Sequence, residues 1–243
     1  MEKKWYESWF DTHYYHLLYE HRNFEEADRF VQKMVAFLKL EKGSKVLDLA
    51  CGKGRHSISL SKLGFLTTGI DLSVESILAA KEFENENLKF HQADMRFPVA
   101  NEMFDVVFSL FSSFGYFESD AENEKVIESV AQMLKPRGRF VMDFLNTDVF
   151  ENEFEEIQLH EKCGIQFKTH KKINLEKIVK EIEVNDAGSL MYFNEYLKRY
   201  NLSFFEKCFE KFSLRIENIF GDYELDDFKK NISPRLILIA TKF

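Results

Sequence analysis

The chain has 243 residues, 45% of them hydrophobic and 26 of them phenylalanine, enough to bury a sizeable core and to exclude a disordered chain. A formal net charge of −8 argues against a nucleic-acid partner, which would need a basic surface. Three widely spaced cysteines, Cys51, Cys163 and Cys208, offer neither a disulfide framework nor a metal knuckle; no metal is expected, and a reducing cytoplasm suits the chain.

The N-terminal stretch MEKKWYESWFDTHYYH has no uninterrupted apolar core, so it does not read as a signal peptide. Nowhere does the chain approach the roughly 18 consecutive apolar residues of a membrane helix. Over residues 12–40 apolar side chains recur near a helical period (Leu17, Leu18, Phe24, Ala27, Phe30, Val31, Met34, Val35, Leu38), which predicts helix. KVLDLA is then a short strand, HSISLSKLG a helix stopped by Gly64, and LTTGIDL a second strand. SVESILAAKEF is a helix with Ser73 as its N-cap, LKFHQAD a third strand, and FDVVFSLF a fourth that is apolar on both faces. A helix over AENEKVIESVAQMLKPRG, ending at Pro136 and Gly138, leads to a fifth strand, RFVMDFL. This rhythm predicts a doubly wound α/β fold.

After Leu145 the period changes to alternation, in IQLHEK, IQFKTHKK, KIVKEIEVN and SLMYFNEYLKRY, which predicts an antiparallel β insertion over residues 155–200. Its apolar face, taken to include Ile165, Phe167, Tyr192 and Tyr196, must cover something. A helix over LSFFEKCFEKF, a strand over SLRIENIFGDY and a terminal strand near 236–242 complete the chain. The last strand is reached by a connection too short for a crossover helix. The expectation is therefore a mostly parallel seven-stranded sheet whose last strand is antiparallel. One domain is expected over 1–243, with 1–40 as an N-terminal helical lid and 155–200 as a cap.

The loop in KVLDLACGKGRHS runs from a strand into a helix, which aims backbone N–H groups at a ligand. It is not a phosphate cradle, because Lys53 lies between the glycines rather than after them, and Ser57 stands where a dinucleotide fingerprint needs its third glycine. Asp48 at the strand end repels phosphate and suits a ligand carrying an amino group. With these residues the chain resembles the class I (Rossmann-like) S-adenosylmethionine-dependent methyltransferases. VLDLACGKG is similar to their first motif, TTGIDLS to their second, and HQADMR to their third; FDVVFSLFSSFGYF and MLKPRGRFVMDF fit the segments that follow.

The resemblance implies S-adenosyl-L-methionine as cofactor. It implies that Asp48, Ala50, Gly52 and Gly54 surround the methionine part and that Asp71 accepts from the ribose hydroxyls. Asp94 would accept from the adenine amino group, Leu72 and Met95 pack on the ring, and Ser109 and Leu110 line the sulfonium. In the N-terminal helix, Tyr19 and Arg22 share a face and are assigned to the cofactor carboxylate. Phe111, Phe114, Tyr116 and Phe117 suggest an apolar mouth, with Phe114 and Tyr116 assigned to the substrate pocket. The expected activity is methyl transfer to a nitrogen or oxygen of a small molecule, the partner class being a small-molecule acceptor, with no nucleic acid and no membrane. KTHKK (168–172) is the one feature favouring RNA or protein as acceptor, and a catalytically silent cofactor-binding protein is the other alternative. No general base is assigned among the candidates Tyr116, His56, His160 and His170.

Overall fold

A computed structural model of the protein describes residues 4–20, 24–150 and 154–243. In chain order the elements are α1 (Trp5–Trp9), α2 (His13–Leu18), α3 (Phe24–Leu38), β1 (Lys45–Leu49), α4 (Arg55–Lys62), β2 (Leu66–Asp71), α5 (Val74–Lys81), β3 (Leu88–Gln92) and β4 (Phe104–Ser109). Then follow α6 (Asp120–Met133), β5 (Leu134–Leu145), β6 (Glu155–Lys162), β7 (Ile165–Ile173), β8 (Lys177–Asp186), β9 (Ser189–Lys198), α7 (Leu202–Lys211), β10 (Leu214–Phe220) and β11 (Arg235–Lys242). They form two compact units, one of residues 24–149 and 200–243, the other of residues 1–23 and 150–199.

The larger unit is built on a seven-stranded sheet in the order β10-β11-β5-β4-β1-β2-β3. Strands β1 to β5 run parallel, and β11 is antiparallel to both β5 and β10, as the short final connection predicts. One face packs Phe30, Val31, Met34 and Leu38 of α3 and Leu60 of α4 against Val46, Val106, Phe108, Val141 and Ile237. On the other face Phe140 and Phe144 meet Phe209 and Phe205 of α7. Local signals set the helix starts. Ser73 caps α5 by accepting from the Ser76 N–H, and Ser119 and Glu122 form a reciprocal capping box at α6. Helix α6 stops at Met133, three residues before Pro136, because Leu134 is already extended and opens β5.

The smaller unit is the antiparallel sheet β6-β7-β8-β9 with α1 and α2. Its apolar face is covered by the chain's own N-terminal aromatics: Trp9 and Leu18 pack with Ile165, Phe167, Ile182 and Val184. Tyr192 does not join them. Register pairs Phe193 with Ile182 and Met191 with Val184, so Tyr192 points to the opposite face, opposite Glu183, and is 68% exposed. Tyr192→Ala is therefore expected to change stability by less than about 0.5 kcal/mol, as measured by urea unfolding. The segment expected as one lid over 1–40 is divided, α1 and α2 belonging to this unit and α3 to the other. The basic run KTHKK is matched by acids here: Lys172 donates to Glu181 at 2.8 Å and His170 lies 3.0 Å from Glu155. Among the described residues no helix is long and apolar enough to cross a membrane.

Candidate active site

Four adjacent parallel strands, β4, β1, β2 and β3, bring Ser109, Asp48, Asp71 and the HQAD segment to one C-terminal sheet edge. Leu49 is level with Ser109 on one side and Ile70 on the other, so the glycine loop leaves the sheet between β4 and β2. This is where open α/β sheets bind their ligands.

The loop turns tightly. Ala50, Gly52 and Gly54 all have positive φ, at 57°, 55° and 83°. Asp71 braces the turn: its Oδ2 accepts from the Gly52 N–H at 2.8 Å and its Oδ1 from the Ser73 N–H at 2.9 Å. The two glycines serve different needs. A Cβ on Gly54 would lie 2.5 Å from the Phe90 ring, whereas one on Gly52 would meet no atom within 4 Å. Gly52 thus borders open space, a cradle for a ligand, and Gly54 a packed interior. Gly54→Ala is expected to destabilise the fold by about 1–3 kcal/mol, from ring overlap and left-handed strain, measured as a lower urea midpoint.

Beneath the loop Asp48 is 1% exposed and accepts from the Ser57 hydroxyl at 2.6 Å. Burial raises its carboxyl to about 7, against the pull of Ser57 and Arg55, which favour the charged form. Burial likewise pushes the Cys51 thiol well up, so Cys51 is no nucleophile. The His56 imidazole is buried, and burial, helped by Arg55, holds its pKa well below the ordinary value; it is neutral at pH 7 and its Nε2 has no hydrogen-bond partner.

Leu72 and Met95 are half-buried beside their acids, and Leu110 is buried beyond Ser109. The Asp94 carboxylate is already engaged by Arg96. Nε reaches both oxygens at 3.1 and 3.0 Å, Nη2 reaches Oδ2 at 2.6 Å, and the Arg96 N–H reaches Oδ1 at 2.9 Å. An adenine amino group at Asp94 must share an oxygen with Arg96. Tyr19 belongs to the smaller unit, where its hydroxyl bonds Glu195 at 2.8 Å and accepts from Lys180 at 2.8 Å. Arg22 lies outside the described residues.

One assignment needs correcting. Phe114 and Phe117 do not line a mouth: they are 1% and 5% exposed, and Phe114 packs on Phe205, Tyr200 and Phe144, because the loop after β4 turns it into the core. Tyr116 is half-buried, near enough to Arg235 to influence its charge. The ring at the edge is Phe111, half-buried and held between His56 and Tyr223, with the Arg55 guanidinium 4.1 Å from its centroid. Phe111 and Ser112 both have positive φ, at 58° and 62°, a conformation that costs non-glycine residues about 1–3 kcal/mol each. The groups that hold them, Asp143, Tyr223 and Arg235, lie outside the motifs of the glycine loop and the strand ends. The signal was present: a charged residue inside the apolar run FVMDFL must find a partner when buried.

Residues 40–194 match the family model described as "Methyltransferase domain". The chain is 31% identical over 151 residues to glycine/sarcosine N-methyltransferase of Aphanothece halophytica, covering 59% of this chain and 55% of that protein. It is 34% identical over 100 residues to dTDP-3-amino-3,4,6-trideoxy-alpha-D-glucopyranose N,N-dimethyltransferase of Streptomyces venezuelae, covering 41% and 42%. The chain thus spans about half the length of the curated relatives it matches. Among solved structures, an S-adenosylmethionine-dependent methyltransferase from Clostridium acetobutylicum superposes with a TM-score of 0.78 at 19% identity, over 94% of this chain and 96% of that one.

Proposed function

The chain belongs to the methyltransferase domain family, and from that premise we propose that it moves the methyl group of S-adenosylmethionine to a nitrogen of a small amine. The observation that carries the reading is the sheet edge itself. A glycine loop with open space at Gly52, braced by Asp71 and backed by the buried Asp48, suits a cationic, phosphate-free cofactor. When bound, that cofactor supplies an electrophilic methyl on a sulfonium, so the protein's part is alignment and exclusion of water.

Asp71, at the end of β2 beside the glycine loop, would accept from a ribose, Gly52 gives the methionine part room, and Leu110 and Phe111 wall the edge where an acceptor approaches. An amine must reach the methyl unprotonated; His56, buried beside that wall next to Arg55 with its pKa held well below the ordinary value, is a poor proton acceptor, so no general base is assigned. Nitrogen is favoured over oxygen because the two relatives named above are N-methyltransferases. The matched charges of KTHKK give an RNA acceptor no added support.

The test has two steps. Calorimetry should show binding of S-adenosylmethionine and S-adenosylhomocysteine but not of NAD. Labelled methyl transfer should then be screened on glycine, sarcosine, an aminosugar nucleotide and total RNA. Failure to bind the cofactor sinks the reading, and label incorporated only into RNA replaces it.

A further inference from the structure

We infer that Asp143, locked between Arg235 and Tyr223, is the positioning residue that fixes the loop after β4 at the reactive edge. This rests on the methyl-transfer reading for its catalytic consequence and on geometry alone for the loop.

Asp143 satisfies both successive N–H donors of the left-handed turn. Its Oδ2 accepts from the Phe111 N–H at 2.8 Å, and its backbone carbonyl accepts from the Ser112 N–H at 3.0 Å. Arg235 closes the arrangement from the far side. Its Nε donates to Asp143 Oδ1 at 2.7 Å, and its Nη2 donates to Ser112 Oγ at 2.9 Å. The Tyr223 hydroxyl donates to Asp143 Oδ2 at 3.2 Å while its ring stacks on Phe111 at 5.1 Å. Thus three side chains from β5, the β10–β11 connection and β11 converge on two residues of one loop.

The Asp143 side chain is fully buried and the Arg235 side chain 15% exposed. Burial alone would lower the arginine's pKa, but its neighbours, Asp143 first among them, more than offset it, so Arg235 stays charged. A buried pair of this kind is an inefficient way to stabilise a sheet, since a packed apolar pair often does as well. It is an efficient way to hold a strained turn, because its directional bonds specify one conformation. What the turn fixes is the Phe111 ring, seated against His56 and Arg55 at the start of α4 beside the glycine loop. The side chains of Asp143 and Arg235 bond to Phe111, Ser112, Tyr223 and each other rather than to Asp48, Gly52 or Asp71. Loss of the network should therefore affect the acceptor side and spare the cofactor side.

The experiment compares Arg235→Lys, which keeps the charge but not the fork, with Tyr223→Phe, which removes one hydrogen bond and keeps the ring stack. Amide exchange at Phe111 and Ser112, calorimetry with S-adenosylhomocysteine, and kcat and KM on the amine found in the screen are measured on each. In Arg235→Lys, exchange at the two amides should quicken at least fivefold and kcat fall about fivefold, while the S-adenosylhomocysteine Kd stays within twofold. Tyr223→Phe should shift the same readouts in the same direction by less. Adding Ser112→Gly to Arg235→Lys should restore part of kcat, because glycine enters the left-handed region without a Cβ penalty. Parental exchange in both folded variants overturns the proposal. So does an S-adenosylhomocysteine Kd that rises in step with the fall in kcat, which would make the network a scaffold for the whole edge. If the parent methylates no amine, the amine reading fails, and exchange together with cofactor affinity still decides the loop assignment.

Discussion

Asp71→Ala is expected to weaken S-adenosylmethionine binding by at least tenfold, about 1.4 kcal/mol, and by more if both functions of the carboxylate are lost. Hydrogen bonds to a charged acceptor contribute about 1.5–3 kcal/mol each. In the free protein two such bonds hold the Gly52 and Ser73 N–H groups, so the alanine variant also frees the glycine loop that must be ordered to bind. Gly52→Val should be worse still. It strains a residue at φ 55° and sends a side chain into the space a ligand needs, although that side chain meets no protein atom. Both variants should lower stability as well as affinity, Asp71→Ala by releasing the loop and Gly52→Val by left-handed strain, with the larger loss of affinity in Gly52→Val. Calorimetric titration of each folded variant reads the result. Parental affinity in Asp71→Ala would remove Asp71 from the cofactor site.

Much of this edge was legible because its signals are local. Short, mostly apolar runs marked β1 and β4, and Ser73 marked the start of α5 by the one interaction a serine makes best there. What was not legible depended on which neighbour a residue meets. Residues 12–40 share one helical period, yet Leu18 serves the core around Phe167 while Phe30 and Met34 serve the core around Phe108. Periodicity reports an apolar face and not its partner. Strand β9 carries two apolar series, Met191 with Phe193 and Tyr192 with Tyr196; pairing with Ile182 and Val184 puts the first on the covered face, while Tyr192 is exposed and Tyr196 meets the Trp5 ring of α1 at 5.7 Å. Phe114 and Phe111 are three residues apart in one loop, and left-handed backbone at Phe111 and Ser112 decides which of them is core. Asp143 and Arg235 are 92 residues apart and become a pair only through the antiparallel insertion of β11 beside β5.

Asp48→Asn should stabilise the ligand-free protein at pH 8 and impair cofactor binding. The folded carboxyl titrates near 7 against an ordinary value of 3.8, so between about pH 4 and 7 the folded state holds a proton that the unfolded state releases. Stability must then fall as pH rises through that window, and the fall is complete above pH 7. A difference of about three pH units corresponds to roughly 4 kcal/mol, an upper figure because water and side chains relax around a buried charge. Asparagine can still accept from the Ser57 hydroxyl and carries no charge to bury, so the slope should vanish. Urea unfolding at pH 4.5 and pH 8 reads this directly. The cost is expected to be functional. A cofactor bearing an ammonium and a sulfonium offsets the Asp48 charge and favours its ionised form, so binding to the parent expels a proton below pH 7. Parental affinity should accordingly rise with pH up to about 7 and then level off, by at most tenfold per pH unit. In Asp48→Asn the affinity should be weaker and flat across the same range. If the asparagine variant reproduces the parental pH curve, another group carries the dependence and the buried carboxylate faces the core rather than the cofactor.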